Sequence, residues 1–81
     1  MLVAGVAHEV NTPIGICVTA TSVLEEKVKL LARAYNDNEL SRSVLTDFIN
    51  NAHNCLDILS KNTERAADLI HSFKSISVDQ S

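Results

Sequence analysis

Tryptophan is absent from this chain of 81 residues, and one tyrosine and two phenylalanines are its only aromatics. No aromatic platform for stacking nucleic-acid bases is therefore available. The net charge is -3 and the seven basic residues are scattered, which excludes the basic face of a nucleic-acid partner. No apolar run approaches the roughly 18 residues that cross a bilayer, and no basic segment followed by an apolar one resembles a signal peptide. The expectation is a soluble, cytoplasmic segment without direct membrane contact. Cysteine is scarce as well: Cys17 and Cys55 both fall on apolar helix faces and read as small buried thiols of a reducing compartment. They sit at different levels of the paired helices, so no disulfide between them is expected. Two glycines, one proline and few residues of strong β preference point to an all-α class.

What is present is a long heptad pattern. Positions taken alternately four and three apart from Val3 are Val3, Ala7, Val10, Ile14, Cys17, Thr21, Leu24, Val28, Leu31 and Tyr35, with Thr21 the one polar exception. A second seam runs from Leu45 through Phe48, Ala52, Cys55, Leu59, Asn62, Ala66, Leu69 and Phe73 to Ile76, broken only by Asn62. Such spacing marks helices packed along their length. Between the seams "NDNEL", residues 36 to 40, favours local side-chain to backbone bonds over helix. Ser41 then reads as an N-cap, with Leu40 and Leu45 placed as a hydrophobic staple.

These signals predict one domain over 1–81, an antiparallel helical hairpin with helix 1 over about 1–35, a loop over about 36–40 and helix 2 over about 41–78. Each helix carries more apolar surface than one neighbour covers. Helix 1 has a second stripe of Leu2, Val6, Pro13, Ile16, Ala20, Val23, Leu30 and Ala34, and helix 2 adds Val44, Ile49, Leu56, Ile58 and Ile70. A core of this size rarely stabilises itself, and an uncovered patch invites association. The economical expectation is a homodimer forming a four-helix bundle.

The worst helix formers cluster around one histidine. In "GVAHEVNTPIG", residues 5 to 15, His8 falls opposite the first seam, on the solvent face with Gly5, Thr12, Gly15, Thr19, Ser22, Glu26, Lys29 and Arg33. His53 and His71 also point outward but have no distinctive neighbours. Glu9 interrupts the second apolar stripe, Thr12 lies one turn beyond His8 on its face, and Pro13 cannot donate to the carbonyl of Glu9. A bend just after the histidine is expected. Curvature alone explains Pro13, but it leaves His8, Glu9 and Thr12 together unexplained, and local rule-breaking of this kind concentrates at functional sites.

The segment "HEVNTP", residues 8 to 13, resembles the H-box of sensor histidine kinases, most closely the subgroup with His-Glu followed by Asn. The hairpin resembles the dimerisation and histidine phosphotransfer domain of those kinases over nearly its whole length, and "NTERAADLIHSFKSISVDQ", 62 to 80, resembles its outgoing helix. That resemblance implies His8 as phosphoacceptor, Glu9 as the base that orients its ring, Thr12 as the residue aligning a water for dephosphorylation of a response regulator, Asn11 as a weaker contributor, and Pro13 as the bend. It implies a response regulator receiver domain as partner and ATP with Mg²⁺ as phosphoryl source. No Gly-rich loop or Asn-rich ATP-binding motif is present in the chain, so the nucleotide is expected on a separate domain of a larger kinase, with no cofactor and no metal ligand here.

Three other readings compete. A zinc hydrolase helix with His-Glu needs a second histidine four residues on, where Thr12 stands. A monomeric phosphotransfer domain is usually a four-helix chain with a lysine after the histidine, and neither holds here. A non-catalytic dimeric scaffold or signal-relay coiled coil, with His8 incidental, is the serious alternative.

Overall fold

The computed structural model describes residues 2–79, with side chains over 5–73. It is a hairpin of two helices, α1 (Leu2–Asn36) and α2 (Arg42–Asp79). Its extents are 62 × 16 × 13 Å, a thickness of two packed helices and no more. The helix bounds fall within about a residue of those predicted. The side chains of Leu2, Val3 and Ile76, counted in the apolar stripes, lie outside the described range.

The turn is built by side-chain chemistry. Asn38 takes the left-handed conformation at φ 58°, which asparagine tolerates better than most residues. Its N–H bonds the carbonyl of Tyr35 at 3.3 Å, and the N–H of Glu39 bonds that of Ala34 at 2.8 Å. This is the Schellman arrangement, which satisfies carbonyls that the end of α1 leaves without partners. Ser41 then caps α2 as predicted, its Oγ accepting from the N–H of Val44 at 3.1 Å.

The buried line of α2 follows its predicted seam. Cys55 and Ala66 are buried, and Phe48, Ala52, Leu59, Asn62, Leu69 and Phe73 are half-buried, leaving Leu45 as the exposed member. Asn62, the polar exception, donates its side-chain amide to the carbonyl of Ile58 at 2.8 Å, so its burial leaves no donor group empty. Cys17 points its thiol at the carbonyl of Leu59, 3.9 Å away. That places Cys17 a turn from the level of Cys55, and both are free thiols.

α1 corrects the expectation that the Val3 seam is the packed one. The line against α2 runs between the two stripes: Val6, Val10, Pro13, Cys17, Ala20, Leu24, Lys27, Leu31 and Ala34 are buried or half-buried, whereas Ala7, Ile14, Thr21, Val28 and Tyr35 are exposed. A single antiparallel partner covers one line of contact, and two apolar stripes flank it. On one side stand Ile16, Val23, Leu30 and Ile58; on the other, Ile14, Val28, Tyr35, Ile49, Leu56 and Ile70, all at least 40% exposed. The surface of the hairpin is 6278 Å², against about 4,800 Å² for a compact monomer of its mass. The difference, about 1,500 Å², is of the order that a stable protein interface buries.

Candidate functional site

His8 lies on the outer face of α1 and is exposed, as are Gly5, Thr12, Gly15 and Thr19 along the same face. The predicted solvent face is thus the observed one, down to Arg33. His53 and His71 are exposed on α2. What fixes the orientation of this face is the opposite side of the helix. Pro13 is less than 2% exposed, the largest side chain so completely buried, and Cys17 and Ala20 follow it against α2. The proline ring therefore anchors α1 one turn from His8.

α1 passes through Pro13 as one unbroken helix. Proline has no N–H for the carbonyl of Glu9 and crowds it, a cost of roughly 3 kcal/mol in a helix interior. Packing of the ring against α2 offsets part of that cost. Next to it, the Thr12 hydroxyl donates to the carbonyl of His8 at 3.1 Å, and Thr19 repeats the pattern on Gly15 at 3.1 Å. The hydroxyl proton of Thr12 is committed to the backbone in this rotamer. Its lone pairs stay free to accept a hydrogen bond from a water.

Glu9 is exposed in the row of α1 that continues to Ile16 and Val23. Among the described residues no hydrogen bond joins the His8 ring to the Glu9 carboxylate. Successive helix positions point about 100° apart, so the two side chains meet only if the carboxylate swings toward the ring. Asn11 and Thr12, with Gly15 and Ile16, line an open groove of about 520 Å³ between the helices, closed on the α2 side by Cys55 and Ile58. This groove was not visible in the sequence, because its walls come mostly from rows flanking the seams, with Cys55 the one seam residue among them.

No residue lining the groove is charged, so nothing there balances a triphosphate. Among the described residues no group of three or more histidine, cysteine or acidic side chains is placed to hold a metal ion. No helix among the described residues is long and apolar enough to cross a membrane. No protein-family model matches the chain, and no curated protein or solved structure is significantly similar to it.

Proposed function

We propose that the chain is the cytoplasmic dimerisation and phosphoacceptor domain of a two-component histidine kinase. The observation that carries this reading is the placement of His8: exposed on a helix whose opposite side is anchored by buried Pro13, with the Thr12 hydroxyl one turn along. This is the arrangement that a histidine receiving a group from one protein domain and giving it to another requires.

In this reading a neutral ring nitrogen of His8 attacks the γ-phosphorus of ATP held by a separate nucleotide-binding domain. The bond from phosphorus to the bridging oxygen breaks, ADP leaves, and the ring proton passes to Glu9. A carboxylate of a response regulator then attacks the phosphoramidate, and the phosphoryl group moves on while His8 recovers its proton. Thr12, aided by Asn11, holds a water for the reverse duty of dephosphorylating the regulator. Positioning and charge stabilisation dominate phosphoryl transfer, and the Mg²⁺ that supplies the latter belongs to the nucleotide domain.

The two flanks divide the remaining roles. The side bearing Ile14, Val28, Tyr35, Ile49, Leu56 and Ile70 exposes more apolar surface and is the side a second copy covers to complete a four-helix bundle. That leaves the groove beside Thr12 and Ile16 open on the outside of the dimer, next to His8, for the receiver domain.

The test is phosphate incorporation from labelled ATP into the chain joined to its nucleotide-binding domain. Acid-labile, base-stable label that disappears in His8→Gln supports the proposal. Absence of label from a dimer with a competent nucleotide domain leaves the rival scaffold reading, which the large apolar surface alone also satisfies.

A further inference from the structure

Ile16 of α1 and Ile58 of α2 line the same groove. Lys27 of α1 and Asp47 of α2 line its continuation toward the turn. Each of these steps is eleven residues, close to three helical turns, taken in opposite chain directions as an antiparallel pair demands. The register is therefore constant along this flank. Seven residues the other way, close to two turns, lead from Ile16 to Glu9 and from Ile58 to Arg65. Helix contact persists at that level, since Val10 and Leu69 are half-buried and Ala66 is buried. On this register the apolar groove is flanked toward the turn by Lys27 and Asp47 and, two turns beyond its other side, by Glu9 and Arg65, with the signs exchanged between the helices.

We infer that Arg65 is a positioning residue for Glu9, and this rests on the phosphoacceptor reading above. Both side chains are exposed, and two long side chains on facing flanks span helix axes about 8–10 Å apart. Among the described residues the one ion pair is Lys61 with Asp57, at 3.2 Å, so the Arg65 guanidinium is free to turn across the groove. The other acids near it are Glu64, beside it in sequence, and Asp68, three residues on; both are exposed and lie further from α1 round α2 than Arg65 does. His8 lies about 100° round α1 from Glu9, on the side away from α2. A carboxylate drawn toward Arg65 is turned from the ring whose proton it must take. Arg65 therefore restrains His8 phosphorylation by competing for Glu9, and an approaching nucleotide domain must win that carboxylate back.

The experiment uses the chain joined to its nucleotide-binding domain and has two arms. In the first, Glu9→Cys with Arg65→Cys is treated with a short bismaleimide and run beside Glu9→Cys with Asp68→Cys. An intrachain link in the first pair and little in the second is expected; no link, or equal links, overturns the register and the inference with it. In the second arm, Arg65→Gln raises the initial rate of His8 labelling roughly two- to fivefold, the range that an exposed ion pair allows. Arg65→Lys stays near the parent, and Arg65→Gln has no further effect in the Glu9→Gln background. A rate unchanged or lowered by Arg65→Gln, or an effect that persists without Glu9, overturns the role. Label missing from the parent itself, with the cross-link formed, overturns the phosphoacceptor reading and Arg65's part in it, while the juxtaposition of the two side chains stands.

Discussion

Replacing the most completely buried large side chain of a protein ordinarily destabilises it, yet Pro13→Ala is expected to do the opposite. The change removes two ring carbons from a site less than 2% exposed, a loss of roughly 1.6 kcal/mol at about 0.8 kcal/mol per methylene. It also frees the unfolded chain, a further loss of about 0.4–1 kcal/mol. Against these stands the roughly 3 kcal/mol by which proline disfavours a helix interior, since alanine restores the N–H to the Glu9 carbonyl and removes the ring's clash with it. The balance is a protein about 0.5–1 kcal/mol more stable. Urea unfolding at one fixed protein concentration measures it, because association makes apparent stability concentration-dependent. Destabilisation beyond about 1 kcal/mol would show that ring packing outweighs the helix penalty, and that Pro13 is a core residue with no other reason to be there. Stabilisation accompanied by altered kinase and phosphatase activities would show instead that the weak segment is kept for its use.

Three further outcomes follow from the structure. Ser41→Ala removes the cap on the Val44 N–H and should lower stability by about 1 kcal/mol in the same unfolding assay. Asn38→Gly, at φ 58°, should be neutral or slightly stabilising, whereas Asn38→Val should destabilise by about 1–2 kcal/mol, because a β-branched residue resists the left-handed region. Leu56→Asp, on the broader apolar flank where Leu56 is 54% exposed, should abolish the proposed dimer in sedimentation equilibrium; the same change at exposed Ser22, on the outer face, should not.

The hairpin was legible because its signals are local. Heptad spacing fixes two helices, and "NDNEL" with Ser41 fixes where one stops and the next begins. Which stripe of α1 meets α2 was not legible, because apolar periodicity records that a face is covered and not by which chain. Ile14 and Val28 carry the same signal as Cys17 and Leu24, yet only the latter pair lies along the contact with α2. The left-handed Asn38 lay within the expected loop, but that conformation is tied to the Tyr35 and Ala34 carbonyls that the folded turn bonds, and residue type alone does not specify those bonds. The face of His8 could be read from its position opposite the seam, and the structure agrees. Its lack of a bond to Glu9, and the commitment of the Thr12 proton to the His8 carbonyl, depend on rotamers that spacing does not determine.

The single short connection between Asn36 and Arg42 also sets an order of assembly. Contacts beside it join residues close in sequence, and each later contact along the seam spans a longer segment of chain. Closure is least demanding at the turn, so the hairpin zips from Tyr35 and Val44 outward. The level of His8, Val10 and Leu69 closes near the end of that process and opens early in the reverse one. Amide hydrogen exchange should therefore rise along α1 from the turn toward His8. Within the hairpin, the level of the proposed phosphoacceptor is the one whose backbone opens most readily.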